Sequence, residues 1–463
     1  MTAPVDVSPL PGSLELDGVT HAVVLEAASR LSFLVRFEAG VSPPIGTVFT
    51  KLVVHREGKP LTLTRARLER HEGRPDVAGR LVFVEDVFDC RALVKEGRVK
   101  NLLGFFNELP LVLAQREQIT PDFRAYVADL NYDLTVYKKF FDEQDRLFEA
   151  EPTSVAAAAQ QVLLARTSKE FFDYLDRMLE QLGQLVRDFT PEQHERHGYY
   201  FRQQLWPFIM SSAFMARTNL KPRGYAGDAA MMEMIYDNTW SGRWVFNKLM
   251  HKHPVGHAAA QAVRNRRVLV PTLLREHLAT SAQTPFKVLS VACGPARELS
   301  DVFRSPADCQ RIALTLLDQD DEALSAARAT ITQLEATLGV GITAKTVNDS
   351  VRTLLKEADL AGRLGRFDFI YTMGMFDYLT PPVAKAVLAR LYELLAPGGV
   401  AVVGNYHVAN RSRFYMAYWL DWILYYRTEG EMMAMASALP SARTTVGLDD
   451  TSCQMFLRVE KPG

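Results

Sequence analysis

Cysteine is scarce in this chain: four residues in 463, Cys90, Cys293, Cys309 and Cys453, lie far apart and form no CxxC pair. That usage excludes a disulfide framework or a zinc ribbon and fits a reducing, cytoplasmic setting. A basic excess is also missing, since Lys+Arg 53 against Asp+Glu 54 leave a net charge of -1. Nothing there calls for nucleic acid as a partner. No apolar run reaches the roughly 20 residues that a membrane-spanning helix needs. The richest, YMAYWLDWILYY at 415–426, is interrupted by Asp421. The start, MTAPVDVSPLPG, lacks the positive charge and apolar stretch of a signal peptide. There is no internal repeat and no Gly-Lys-Ser/Thr phosphate loop. What is present is 48% hydrophobic residues, enough for a large core in two to four domains.

Three stretches follow one another. Residues 10 to about 95 carry β-branched runs (VTHAVVLEA, LSFLVRFEA, VFTKLVVHR, LTLTRARLERH, GRLVFVED) separated by turn residues, the pattern of a small antiparallel barrel. With the turn Pro44-Ile45-Gly46-Thr47-Val48-Phe49, this stretch resembles a PilZ-type barrel. The cyclic-di-GMP signature of that family is absent where the chain reads VLEAASRLSF. The resemblance therefore implies a degenerate PilZ-like module (1–100) for packing or docking. From about 110 to 280 the period becomes helical. Thr120-Pro121 opens one helix, with Val127, Leu130, Leu134 and Tyr137 as its inner face. Thr167 with Glu170 and Thr190 with Gln193 read as capping boxes of two more, and AEPTSVAAAAQQ as a joint. From about 285 strands and helices alternate (FKVLSVACG, RIALTLLDQD, ITAKTVND, FDFIYTMG, GGVAVVGNY), which describes an α/β parallel sheet covered on both faces. TTVGLDDTSCQMFLRVEK adds two strands as an antiparallel edge. The expected domains are 1–100, a helical cap at 101–281, and a sheet domain at 282–463.

Chemistry concentrates at the carboxyl ends of those strands, where an open parallel sheet binds its ligand. The first strand runs into a turn of small residues, Ala292-Cys293-Gly294-Pro295-Ala296, whose backbone a ligand can approach closely. The second ends in Asp318, followed by Gln319, a carboxylate suited to both hydroxyls of a ribose. The third ends at Asn348-Asp349-Ser350, suited to an adenine amino group. Leu394-Leu395-Ala396-Pro397-Gly398-Gly399 precedes the fifth strand. In this order the set resembles the class I S-adenosylmethionine-dependent methyltransferases over roughly 285–460, which implies a Rossmann-like sheet and S-adenosyl-L-methionine as cofactor. Two positions depart from that pattern. Ser290 stands where an acidic residue is usual in the first strand, and Gly294-Pro295-Ala296 replaces Gly-x-Gly. With Glu298, which is expected to take the missing acidic role, they resemble a narrower bacterial set, the methyltransferases of 3-hydroxypalmitic acid methyl ester (extracellular factor) biosynthesis.

The element KPRGYAGD at 221–228 resembles one that precedes the catalytic domain in the same set. Two glycines among Arg223, Tyr225 and Asp228 make a poor helix and a good binding loop. Arg223 there is suited to gripping a carboxylate; an ordinary inter-helix loop is the alternative. In the basic cluster Arg264-Asn265-Arg266-Arg267, Arg264 is the candidate for the same carboxylate, against a solvated helix face. Thr372, at the end of the fourth strand, completes the cofactor candidates. On the acceptor side stand Asp377, Tyr378 and His407 as catalytic candidates. The aromatic run after Arg413 reads as a lid or apolar wall, or equally as core. His251, His253 and His257 suggest metal on paper, but Pro254 breaks their helical face and no acidic partner is near, so no metal is expected. His194 and His197 read as a wetted helix face.

The expected activity is methyl transfer to a small-molecule acceptor, with the resemblance favouring the carboxylate of a 3-hydroxy fatty acid or a related acid. A carboxylate is already ionised at neutral pH and needs no base, whereas a hydroxyl does. Two alternatives stay open: N- or O-methylation of another small metabolite, and a non-catalytic S-adenosylmethionine-binding regulatory protein. Nucleic acid and a membrane span are not expected. A homo-oligomer is left open by composition.

Overall fold

The computed structural model describes residues 5–28, 32–37, 41, 43–55, 60–69, 79–83 and 118–463. The chain forms two compact units, Met1–Gln118 and Ile119–Gly463. Cys90 and the expected start of the helical stretch near 110 lie outside the described residues.

The first unit has six strands, β1 (Val5–Leu16), β2 (Val19–Ala28), β3 (Ser32–Phe37), β4 (Val48–Val54), β5 (Leu61–Glu69) and β6 (Gly79–Phe83). They run antiparallel in the order β1-β2-β3-β6-β5-β4, and pairing of β1 with β4 closes the barrel. Inward residues such as Leu14, Leu25, Phe33, Phe49, Leu52 and Leu81 fill it. Five of the strands match the apolar runs; β1 does not, because Pro9, Pro11 and Gly12 read as loop. Proline is tolerated at bulges, and the β1–β2 register shifts between Asp6 and Leu10. In the Pro44–Phe49 turn Thr47 N–H donates to Pro44 O (3.1 Å), with Gly46 at φ 95° supplying the left-handed corner.

The second unit starts with seven helices: α1 (Pro121–Leu147), α2 (Thr153–Val186), α3 (Pro191–Ile209), α4 (Ala213–Leu220), α5 (Ala229–Asp237), α6 (Val245–Gly256) and α7 (Ala258–Thr280). Val127, Leu130 and Leu134 of α1 are buried as their spacing predicts, and Thr190 with Gln193 makes both bonds of a capping box on α3. Three expectations fail. Thr167 and Glu170 lie inside α2, not at a helix start, and the Thr167 hydroxyl donates to Leu163 O (2.7 Å) one turn back. Pro254 does not break α6, since a proline near the last turn forfeits little of the ladder. His197 is fully buried, receiving Thr120 N–H at Nε2 (3.2 Å), and His194 meets the Tyr418 hydroxyl (3.0 Å). Charged neighbours on α3 made that face look wet, whereas α1 and the 413–426 segment cover it.

The sheet contains β7 (Phe286–Val291), β8 (Ile312–Asp318), β9 (Thr343–Asn348), β10 (Phe367–Thr372), β11 (Leu395–Tyr406), β12 (Arg443–Leu448) and β13 (Gln454–Glu460), in the order β12-β13-β11-β10-β7-β8-β9. The first five are parallel, and β13 runs antiparallel to both β11 and β12. Alternate residues point to opposite faces. Leu289, Ile370 and Ala401 join one buried layer, while Val288, Phe369 and Val402 join the other. The covering helices are α8 (Leu299–Val302), α9 (Pro306–Arg311), α10 (Asp321–Leu338), α11 (Val351–Lys356), α12 (Leu360–Leu364), α13 (Pro381–Glu393) and, after α14 (Arg413–Trp419), which packs on α2 and α3 instead, α15 (Glu429–Ala436). Gly398 and Gly399 belong to β11 itself. Gly398 has φ 76°, and a Cβ on Gly399 would lie 2.9 Å from Ala396 O and Phe367 O, where the β10–β11 register shifts. The order turns back between β7 and β10, which opens the crevice at their carboxyl ends.

The aromatic run 413–426 is part of the helical core. Tyr418 and Trp419 pack on Phe201, and Tyr418 packs on Phe123 at 5.8 Å between ring centres. Phe123 is fully buried and also meets His197 edge-on at 5.0 Å. Phe123→Ala is therefore expected to lower the unfolding free energy by about 3–5 kcal/mol in urea titrations.

Candidate functional site

The β7 turn carries left-handed residues at Ala292 (φ 52°), Gly294 (φ 55°) and Ala296 (φ 49°). Two of the three bear a Cβ, a conformation that costs roughly 1 kcal/mol or more each. The turn is held against β8: Cys293 N–H donates to Leu317 O (3.2 Å) and Gly294 N–H to Asp318 Oδ2 (2.9 Å). Asp318 Oδ1 accepts Asp320 N–H (3.0 Å). Burial pushes the Asp318 carboxyl up, opposed by these backbone donors. Gln319 follows it on the exposed side. Asp349 N–H donates to Asp318 O (2.9 Å), so the third strand end meets the second. There Asn348 donates to Asp321 (2.7 Å), Asp349 pairs with Arg363 (2.6 Å) and Ser350 starts α11.

Behind the turn, Glu298 is buried and accepts the Tyr371 hydroxyl (2.7 Å), which also bonds Ser290. Burial raises the Glu298 carboxyl above its usual range. Arg266 of α7 enters the same space. It is 9% exposed, donates to Met373 O, contacts Met232 Sδ (3.3 Å) and bonds the Tyr236 hydroxyl. No carboxylate among the described residues lies within ion-pair distance of it. Glu298 and Asp377 feel its charge, but both are engaged elsewhere. Thr372 Oγ1, at the end of β10, is buried without a hydrogen-bond partner. Arg264, two positions earlier on the same helix, points away. It donates to Ile235 O (2.9 Å) and Val255 O (2.8 Å), tying helix ends together. Residues two apart on a helix face opposite ways, and in a run of four basic residues nothing local says which one faces the sheet.

The 221–228 loop covers the crevice. Arg223 donates to Asp320 Oδ1 (2.9 Å) and pairs with Glu322, so its guanidinium is held by carboxylates of this chain. Tyr225 lies beside Asp318 and Asp320, and their charge and its burial raise its phenol above the usual range. Asp228 caps α5 by accepting Met231 N–H (3.0 Å) and is forked by Arg217 (2.8 and 2.9 Å). A Cβ on Gly227 would stand 2.6 Å from Trp422 Cζ2 and 2.7 Å from the Tyr378 hydroxyl, so only glycine fits.

On the acceptor side Tyr378 is 39% exposed, yet its hydroxyl is enclosed and receives Trp422 Nε1–H (2.7 Å). Asp377 Oδ1 accepts Tyr406 N–H (2.7 Å), joining the β10 end to β11. His407 Nε2 meets Glu429 Oε2 (3.1 Å), while its Nδ1 is buried and unpartnered. Arg427, absent from the sequence reading, is buried and donates to Phe376 O (2.9 Å), Leu379 O (2.6 Å) and Asn405 Oδ1. A cavity of about 20 Å³ between Tyr406, Trp422, Leu420 and Ala260 is room for one water or methyl group. His253 and His257 do have an acidic neighbour, far away in sequence: Asp176 lies 3.1 Å from His253 and 3.7 Å from His257. His253 also bonds Tyr415 (2.8 Å) and His257 bonds Ser412 (2.5 Å), and no group of three or more metal-ligating residues occurs among the described residues. Nor is any described helix long and apolar enough to cross a membrane.

Burial pushes the Asp377 carboxyl from 3.8 up to about 6, against the Tyr406 N–H and the charges of Arg266 and Arg427. The folded chain thus keeps this proton where the unfolded chain has lost it. Stability from the group is full below pH 4 and is lost as pH rises through about 6, by about 3 kcal/mol. Asp377→Asn keeps an acceptor for Tyr406 and removes that term. The wild-type minus variant difference in unfolding free energy is expected to fall by about 3 kcal/mol between pH 4 and 7; a flat difference contradicts it.

Residues 288–399 match a family described as a methyltransferase domain. No curated protein matches. Among solved structures, a possible exported protein from Bordetella parapertussis is 17% identical over 68% of this chain and 100% of its own (TM-score 0.44). Magnesium protoporphyrin IX methyltransferase from Synechocystis PCC 6803 is 12% identical over 44% and 83% (TM-score 0.32). N-methyltransferase NodS from Bradyrhizobium japonicum WM9 is 16% identical over 43% and 88% (TM-score 0.30). The cradle fits the cofactor of that domain: a buried carboxylate at the β8 end, a close-approach turn, an orphaned Thr372 hydroxyl and a buried guanidinium without a carboxylate partner. Residues 288–399 are a methyltransferase domain, and the chain is an S-adenosylmethionine-dependent methyltransferase.

Proposed function

We propose that the chain methylates the carboxylate of a small organic acid, 3-hydroxy fatty acids included, in the manner of the 3-hydroxypalmitic acid methyl ester group. One observation carries this reading: the 221–228 loop closes over the crevice through Arg223, Tyr225 and Gly227, a cover that suits a small acceptor better than a polymer. Bound S-adenosylmethionine supplies a methyl group already activated on sulfur. The chain's own task is then to align the acceptor and keep water out. Asp318 takes the ribose hydroxyls, Gly294 lets the backbone approach, and Asn348, Asp349 and Ser350 border the adenine. Arg266, with Glu298 and Thr372, meets the methionine end or the acceptor's carboxylate. Asp377 is engaged by Tyr406 N–H, in keeping with an acceptor that needs no base. The cavity beside Tyr406 is too small for an acyl chain, so a long tail would lie outside it. The helical stretch before the sheet serves as the cap, and the N-terminal barrel as a PilZ-like docking module.

A second reading rests on His407. With Glu429 holding Nε2–H, its unpartnered Nδ1 is the right form of a general base for a hydroxyl acceptor.

Methyl-labelled cofactor with panels of hydroxy fatty acids of graded length, other acids, amines and phenols separates the two. A base-labile methyl ester, with His407→Gln within about threefold of wild type, is expected. A loss of 10²-fold or more in His407→Gln, with an alkali-stable ether as product, selects the second reading; a methylated amine contradicts both. Asp318→Ala is expected to weaken S-adenosylhomocysteine binding tenfold or more in calorimetry, and no change would remove Asp318 from the cofactor site.

A further inference from the structure

An exposed apolar stripe runs along α1, away from the crevice. Tyr132 is 70% exposed, Val136 51%, Phe140 46% and Leu147 69%. Steps of four and seven put these side chains on one face, and exposed Ala125 and Ala128 continue it toward the amino end. The stripe is about 33 Å long at 1.5 Å per residue. α1 is already amphipathic toward the core through Phe123, Val127, Leu130 and Leu134, so this second apolar face is extra to folding. Apart from Glu143, exposed in the second half beside Lys139, charge along it is divided: Asp122 and Asp129 are exposed in the first half, Lys139 and Arg146 in the second. Of these four, only Lys139 has an ion-pair partner among the described residues, Glu143 at 3.9 Å.

That division is self-complementary. When a second α1 lies antiparallel with its two-fold axis level with Leu134, Asp129 faces Lys139 and Asp122 faces Arg146, each twice. Tyr132 faces Val136, and Phe140 faces the small Ala128. Moving the axis to Val136 sets Asp129 against Glu143, like charge on like, so the Leu134 register is preferred over that one. An isologous contact of this kind is what a two-fold dimer requires.

We propose that α1 is a homodimer interface, its occupant the α1 helix of a second copy in that antiparallel register. A single helix pair of this length falls near the lower end of the roughly 1,200–2,000 Å² buried by stable interfaces, so the dimer dissociates in the micromolar range.

Sedimentation equilibrium of the full chain tests this. The expected result is a monomer–dimer equilibrium that Val136→Glu/Phe140→Glu shifts to monomer while far-ultraviolet circular dichroism and S-adenosylhomocysteine affinity stay unchanged. Lys139→Asp alone is expected to weaken dimerisation tenfold or more, and Asp129→Lys/Lys139→Asp to restore it to within threefold. Three outcomes overturn the proposal. The wild-type chain is monomeric at 100 µM, whether or not Val136→Glu/Phe140→Glu lowers its melting temperature. The Val136→Glu/Phe140→Glu variant stays dimeric. The double charge reversal fails to rescue, which removes the register.

Discussion

A guanidinium sits buried between the helical layer and the sheet edge with no carboxylate of the described residues in contact, and its neighbours are arranged around that charge. Burying an isolated cation costs several kcal/mol, so the neighbours of Arg266 are oxygen and sulfur atoms, Met373 O, the Tyr236 hydroxyl and Met232 Sδ, with Glu298 and Asp377 further out. These residues come from α5, α7, the β7 turn and the β10 end. One side chain therefore sets the distance between helical layer and crevice. It also leaves a positive charge buried beside the strand ends.

Around that centre, charged side chains couple the helical layer to the sheet edge. Arg223 joins Asp320 and Arg297 joins Glu233 between the two, while Lys221 and Arg202 share Asp421 within the helical layer. Most of these pairs are partly exposed, where ion pairs contribute modestly and mainly fix geometry. Their effect is to seat Tyr225, Gly227 and Trp422 over the strand ends.

Much of this was legible in the chain. The five parallel strands, the antiparallel edge and the β7 turn followed from apolar runs, and Asp318 from its place at a strand end. The misreadings come from local chemistry read without its surroundings. His197 looked wet because its neighbours in sequence are charged, while its neighbours in space are Phe123 and Phe189. Thr167 and Glu170 have the spacing of a cap, but the helix had already begun at Thr153. β1 was hidden by prolines that a bulge accommodates.

Periodicity and strand-end chemistry thus determined the class of this protein: a barrel, a helical layer and a methyltransferase sheet, with the order of its motifs. These properties are local, because side-chain alternation and turn residues act within a few positions. Tertiary structure alone decided which basic residue of 264–267 reaches the crevice, that Arg223 is held by Asp320, and that Arg427 clamps Phe376, Leu379 and Asn405 together. Those outcomes depend on helix rotation and on contacts between residues far apart in the chain, which no local pattern encodes.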